Sequence, residues 1–492
     1  MAETRPGTRP DARTGARTPA RPSRRTALAL GAAALLGGGS AASYPLLRRR
    51  GAAGVDGPAL PAAAEAVWST GPGGVLATDL VAAPAGTGLA YGGTNPGPLL
   101  RLREGDTARL TLRNATGAPS SLHVHGLPLD PAVDRPLETV PDGGTSVHEF
   151  PLVPGTAGIH WYHPHPHGDV SRQVSAGLAG ALLVTGPLDE LPELADCDDR
   201  VLVVTGGTTA GGELLVGGVR RPVLETTSGR TRLRVVNATS DDHLLLGLVA
   251  AGAPAPVHVL AVDGHPLTRV EPVPEFLLPP GGRVELLVDT AAPGRSELRA
   301  LGFSPYADGG AGAPEQVLLA LETRVRRTAP PLPARLPTTA PAHPATAPGA
   351  PVARRIVLDA DPAGGFTVDG RAFDHERAAS GPADVTARRG TVEVWEVVNE
   401  HTTDHPFHLH THPFRVLQRD GAPVAPVERG WRDTVPVRPG ESVRLAVEFS
   451  GPAGRTVFHC HVASHEDMGM MGVLDVLDAP GGAGAPGAPG AR

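Results

Sequence analysis

Three stretches of this chain repeat one pattern of alternating apolar and polar positions, each opening on glycine and closing on asparagine: Gly105 to Asn114, Gly229 to Asn237 and Gly390 to Asn399. Side chains on an extended strand point alternately to its two faces, so each copy predicts a half-buried strand. Each is followed by a Pro and Gly turn, at Pro141 to Gly144, Pro280-Gly281 and Pro439-Gly440. Short strands punctuated in this way predict β-sandwiches rather than helices alternating with parallel strands. A chain of 492 residues is too long for one core, and three copies of the unit match three domains of ordinary size.

Composition marks the boundaries. Residues 327–352 are rich in Pro and Ala, lack hydrophobic alternation, and read as a semi-rigid extended linker. A weaker boundary falls near Pro187 to Arg200, giving domains over residues 65–190, 198–326 and 353–479, with a Gly, Ala and Pro tail over 480–492 expected to be disordered. At the other end, Ser23-Arg24-Arg25-Thr26-Ala27-Leu28 precedes a mild apolar run to Ala42. That is the arrangement of a twin-arginine export signal. Residues 1–50 are therefore expected to engage the twin-arginine machinery, a route that carries folded, cofactor-loaded proteins, and to deliver the chain to the periplasm, cell surface or medium of a bacterium. The run is shorter than the roughly 20 residues that span a bilayer. Arg48 to Arg50 leave an uncleaved membrane anchor as the alternative.

The same segment holds ten Arg against Glu3 and Asp11, so subtracting its net +8 from the chain's −7 leaves −15 for the remainder. A protein so acidic is a poor nucleic-acid binder, and no such partner is expected. Neither of the two cysteines, Cys197 and Cys460, implies a disulfide, because Cys460 lies in a metal-ligand pattern that leaves Cys197 a free thiol.

That pattern is the most specific feature of the chain. His459-Cys460-His461, followed by His465 and Met470, is one of four His-x-His pairs, with His123/His125, His163/His165 and His408/His410. Residues two apart share a strand face, so each pair presents both imidazoles to one site while Cys460 faces the other way. The same parity puts His405 opposite His408 and His410. Two sites follow. His405, Cys460, His465 and axial Met470 form a His2Cys set with a weak thioether, the blue-copper electron-transfer type. The remaining eight histidines suit a cluster of three copper ions, and Cys460 is bonded through the backbone to His459 and His461 in that cluster. Structural zinc sites are closed tetrahedra, usually built on paired cysteines, and do not fit one Cys among ten His. Domains one and three each supply two pairs. The corresponding stretch of domain two, around His243, has none, which makes that domain a spacer. His148, His167, His401 and His412 fall outside the pattern and read as outer-layer or surface residues.

These segments resemble the four copper-binding segments of the multicopper oxidases, and residues 161–184 (WYHPHPHGDVSRQVSAGLAGALLV) are similar to the bacterial copper-efflux oxidase and spore-coat laccase branch. The resemblance runs over roughly residues 70–478. It implies three cupredoxin-like Greek-key sandwiches and four copper ions, with the type 2 ion on His123 and His408 and the type 3 pair on His125, His163, His165, His410, His459 and His461. It also implies that Glu466 and Asp134 deliver the protons that dioxygen reduction consumes; the plain alternative for each is a paired or solvated acid in a polar loop. The activity it implies is one-electron oxidation of small phenolic or aromatic amine donors coupled to four-electron reduction of dioxygen to water. Cuprous, ferrous or manganous ions are the alternative donors. The methionine-rich insertion of the copper-efflux oxidases is missing, since the only methionines are Met1, Met468, Met470 and Met471. A further alternative is a cell-envelope scaffold without activity, as in relatives that have lost their copper ligands; here all twelve ligand positions are filled.

Overall fold

The computed structural model describes residues 57–61, 67–68, 73–207, 212–310, 312–338, 349–362 and 364–479. The export signal and the tail beyond 479 lie outside these residues. The chain is all-β, with three cupredoxin-like sandwiches of two sheets each.

In the first sandwich, a sheet carrying Leu100–Arg103, Gly180–Thr185, Gly158–His163 and His123–His125 faces one built from Gly88–Tyr91, Val75–Ala85, Thr107–Asn114 and Thr145–Pro151. Leu110, Leu112, Leu182 and Val184 close the core between them. The second and third sandwiches repeat this plan around their own cores. Burying each such Leu or Val contributes roughly 1.5–3 kcal/mol relative to exposure.

The three glycine-to-asparagine strands occupy the same place in each sandwich. Thr107–Asn114, Arg230–Asn237 and Val392–Asn399 each lie parallel to the preceding long strand of their sheet, Val75–Ala85, Asp198–Gly206 and Arg354–Ala360 respectively. The parallel pairs arise because the chain crosses to the opposite sheet and returns, as a Greek key does, without the helix that an α/β crossover uses. The asparagine has a repeated job. Its side-chain amide donates to Ala118 and Val140 carbonyls in the first sandwich, to Asp242 and Leu278 in the second, and to Thr403 and Val437 in the third. Its own carbonyl accepts from the turn glycine, Gly143, Gly281 or Gly440, at 2.8, 2.9 and 2.9 Å. Those glycines sit at φ +74°, +78° and +74°, the left-handed region that a side chain disfavours. Asparagine recurs because it satisfies loop carbonyls that would otherwise be buried without donors.

Strand Gly180–Thr185 is apolar at nearly every position because it is buried on both faces. Leu182 and Val184 face their own core, while Ala181 and Leu183 join Trp161, Val203 and Val236 in a second apolar layer against the middle sandwich. The first and third sandwiches meet where the short helix Val170–Ser175 packs on helix Ala463–Asp467, with Val170, Val174 and Ala463 in contact. Asp467 accepts from the Val170 and Ser171 amides at 2.9 and 2.8 Å, which ties the two helices together.

The middle sandwich is more than a spacer. Its Ser240 carbonyl and Asp241 carboxylate accept from the Ala463 and Ser464 amides at 2.9 and 3.0 Å, just after the Cys460 strand. Residues 327–338, at the start of the Pro/Ala-rich stretch, run without helix or strand along this sandwich, with Leu336 buried in its core and the Leu336 amide bonded to the Thr268 carbonyl. No helix among the described residues is long and apolar enough to cross a membrane.

Candidate metal centre

Strand Gly454–Cys460 runs antiparallel to His405–Leu409, pairing Phe407 with Cys460 and His408 with His459. Alternation then sends Cys460 and His405 into the third sandwich's core and His408 and His459 out of the opposite face. The turn into helix Ala463–Asp467 returns His465 to Cys460. The three ligating atoms form a small triangle: His405 Nδ1 to His465 Nδ1 3.1 Å, Cys460 Sγ to these nitrogens 3.5 and 3.6 Å. A point about 2.0 Å from all three exists at its centre, close to a first-row metal's bond lengths to nitrogen and sulfur. Burial pushes the Cys460 thiol well above its ordinary value, so a thiolate there needs a cation beside it. Met470 is fully buried in the same core, and its carbonyl accepts from the Cys460 amide at 3.0 Å. Met468 is exposed, and Met471 packs with Val457 and Val473 in a separate cluster. Of the three nearby methionines only Met470 shares the core of Cys460.

On the opposite face the eight histidines converge between the first and third sandwiches, all 5% exposed or less. Six of them have an outward nitrogen held by an acceptor. His123 Nδ1 donates to Asp134 Oδ1 at 2.7 Å and His410 Nδ1 to Asp134 Oδ2 at 3.0 Å. His459 Nδ1 donates to the Cys460 carbonyl at 3.0 Å and lies 3.1 Å from Glu466 Oε2. His163 Nδ1 donates to the Pro164 carbonyl and His408 Nδ1 to the Asp433 carbonyl, both at 2.9 Å. A neutral imidazole has one N–H, so in each of these five Nε2 carries a lone pair directed inward. His125 is reversed: its Nε2 donates to Asp433 Oδ1 at 2.9 Å, leaving Nδ1 inward.

The inward nitrogens crowd together. His410 and His459 Nε2 are 3.1 Å apart, His165 and His459 Nε2 3.3 Å, and His125 Nδ1 and His461 Nε2 3.2 Å. The inward nitrogens of His123, His163 and His408 are buried without a partner among the described residues. The His410 and His459 lone pairs face each other and repel unless a cation lies between them, and those of His123, His163 and His408 are buried unpaired, so the donor set fits metal ions. Triads with mutually close ligand atoms are His123/His408/His410, His123/His125/His163 and His165/His410/His459. Burial, then neighbouring imidazoles, holds His410 and His461 at about 3, and burial holds His165 at about 4. These three imidazoles are neutral at pH 7, the form a metal binds.

Glu466 and Asp134 both touch the cluster. Although burial opposes it, His459 and His165 hold the Glu466 carboxyl far below its ordinary value, and His123 and His410 do the same for Asp134. Asp134 bridges an imidazole of the first sandwich to one of the third. His148, from the outer set, donates to the Val133 carbonyl at 2.7 Å and steadies the short helix that carries Asp134. Of the others, His401 Nδ1 lies 3.1 Å from His405 Nε2, His167 packs on Phe373 and His412 is buried against Phe449. Asp433 went unnoticed in the sequence. Nothing marks it locally, since Glu428, Arg429, Arg432 and Arg438 also carry charge within five residues of it. A cavity of about 870 Å³ opens onto His123, His408 and His410, walled by Leu127, Phe150 and Trp431.

A His2Cys triangle with a buried methionine, joined through one residue's backbone to a cluster of eight imidazoles between two cupredoxin-like sandwiches, defines a class of copper oxidoreductase. The family model for multicopper oxidases matches residues 78–189 and a second such model residues 348–480. The multicopper oxidase mco of Staphylococcus aureus is 27% identical over 405 residues, covering 78% of this chain and 82% of that protein. A laccase of Haloferax volcanii is 32% identical over 71% of this chain and 66% of its own length, and the cell division protein FtsP of Escherichia coli is 28% identical over 73% and 78%. The crystal structure of the McoA multicopper oxidase from Aquifex aeolicus superimposes with a TM-score of 0.74 at 25% identity, covering 86% of this chain and all of that one. The chain belongs to the multicopper oxidase family, whose cofactor is four copper ions.

Proposed function

We propose that this oxidase is laccase-like, taking single electrons from phenolic or aromatic amine donors beside His465 and reducing dioxygen to water at the eight-histidine cluster. His405, Cys460, His465 and Met470 would hold the type 1 ion, His123 and His408 the type 2 ion, and His125, His163, His165, His410, His459 and His461 the type 3 pair. When bound, the copper ions supply the one-electron chemistry that gathers four electrons for dioxygen. The observation that carries this reading is the placement of Cys460: its side chain lies in one site while its peptide neighbours His459 and His461 lie in the other.

The donor class rests on the outer edge of the first site. His465 is half-buried and stacks on the half-buried Phe366 at 4.0 Å, with exposed Met468 nearby in sequence. A flat aromatic donor can lie against such an edge without a deep pocket. At the cluster, Asp134 and Glu466 stand within hydrogen-bonding reach of the imidazoles, positions from which a carboxylate can take a proton from water and hand it inward. The cavity beside His123 and His408 offers a path for dioxygen and water.

Export by the twin-arginine route belongs to the same proposal. It rests on Ser23-Arg24-Arg25 and the apolar run behind it, and Arg24→Lys with Arg25→Lys should leave the protein in the cytoplasm on cell fractionation. The scaffold reading, which the likeness to a cell division protein raises, is disfavoured by the full ligand set.

The decisive experiment is oxygen uptake by the copper-loaded protein with 2,6-dimethoxyphenol, run beside Cys460→Ser. Uptake in the parent and none in the variant is expected. Equal uptake in both would overturn the electron-entry assignment. A blue parent that consumes no oxygen with phenols would overturn the donor class and turn attention to metal ions.

A further inference from the structure

We propose that Arg283, from the sandwich that contributes no ligand, is a positioning residue of the copper cluster, acting through Asp433 to set which nitrogen His125 turns inward. This rests on the copper reading above. Arg283 has no exposed surface, yet all five of its N–H groups have acceptors. Nη1 donates to Asp433 Oδ1 at 2.7 Å and the Gly281 carbonyl at 3.2 Å, and Nη2 to Asp433 Oδ2 at 2.6 Å and the Asp263 carbonyl at 3.0 Å. Nε donates to the Ile159 carbonyl at 3.4 Å. One planar guanidinium therefore joins the second sandwich to the third through Asp433 and to the first through Ile159.

Asp433 transmits this to the cluster. Its Oδ1 accepts from Thr434 Oγ1 at 2.8 Å and from His125 Nε2 at 2.9 Å, and its carbonyl accepts from His408 Nδ1 at 2.9 Å. The Arg283 fork holds both carboxylate oxygens in one plane, a geometry that a point charge would not impose. With Oδ1 held against Nε2, His125 must carry its proton there and present Nδ1 inward. The five histidines whose Nδ1 donates to Asp134, the Cys460 carbonyl, the Pro164 carbonyl or the Asp433 carbonyl present Nε2 instead. Asp263 reinforces the arrangement, accepting from the Arg283 amide at 2.9 Å and the Asp433 and Thr434 amides at 3.3 and 3.2 Å. A buried ion pair that only glued sandwiches together would have no reason to share its carboxylate with a cluster imidazole.

The test is Arg283→Lys in the full chain, which keeps the charge and loses the fork, alongside Asp433→Asn, which keeps the shape and weakens the pairing. Each copper-loaded variant is assayed for copper affinity in competition with a chelator, for the type 2 paramagnetic resonance spectrum, for blue absorbance and for thermal unfolding. Outer partners of metal-bound histidines typically change affinity by about 10–100-fold. The expected result is a loss of that order at the cluster with an altered type 2 spectrum, while blue absorbance per protein stays at the parent level. A folded variant of either kind that melts lower but keeps parental cluster affinity and spectrum would overturn the proposal, leaving Arg283 as glue. If Arg283→Lys fails to fold, Asp433→Asn decides by the same readouts. A parent that itself binds no copper at the cluster would instead sink the copper reading.

Discussion

Replacing Gly281 by alanine tests how closely the middle sandwich walls the cluster, and the fold provides its own control. Gly281 and Gly440 occupy the same turn in successive sandwiches, at φ +78° and +74°, each donating its amide to the repeated asparagine's carbonyl at 2.9 Å. A Cβ added at Gly440 meets nothing within 4 Å, whereas one at Gly281 would lie 2.5 Å from two atoms of the His461 ring and 2.7 Å from a third. Gly440→Ala therefore carries only left-handed strain, about 1–2 kcal/mol. Gly281→Ala carries the same strain and must also push His461 or its own turn back by roughly 1 Å to restore van der Waals contact. A site tolerates displacement of about 0.5 Å before productive geometry is lost. The expected outcome is that Gly281→Ala loses at least as much stability as Gly440→Ala in thermal unfolding of the copper-free protein. Only Gly281→Ala should also lose cluster copper, by about tenfold or more in a chelator competition, together with oxygen uptake. If Gly281→Ala matches Gly440→Ala in copper content and turnover, the turn is free to yield and the middle sandwich does not confine His461.

Three further outcomes follow from the site. Glu466→Gln keeps the shape beside His459 and His165 but cannot cycle a proton, so single-turnover reoxidation by dioxygen should slow by about 10²-fold or more; donor-driven bleaching of the blue band should be unchanged, and parental reoxidation would remove Glu466 from the proton path. Met470→Leu should keep the blue colour and raise the reduction potential in a redox titration, because the axial thioether tunes such a centre; an unmoved potential would mean Met470 is no ligand. His401→Phe removes the acceptor 3.1 Å from His405 Nε2, and since donating its N–H makes a ligand imidazole more basic, the potential should rise; no shift would leave His401 a surface neighbour.

The residue types of both metal sites were legible because local covalent spacing determines them. Alternation along a strand separates Cys460 from His459 and His461, and the same rule separates His405 from His408 and His410, whatever the rest of the chain does. The three asparagine strands and their turns were legible for a similar reason, since each repeat carries its own hydrogen-bonding logic within a few dozen residues. Tertiary structure alone decided the rest. Asp134 reaches His410 across 276 residues of chain, and Arg283 reaches Asp433 across 150, so no window of sequence contains either pair. The nitrogen that each imidazole turns inward depends on which acceptor the fold brings to its other side, which is why His125 differs from His123 two residues away. The middle sandwich, silent in its ligand pattern, proves to face the cluster through Gly281 and Arg283, because a wall needs shape and a fork needs a partner, and neither leaves a histidine in the sequence.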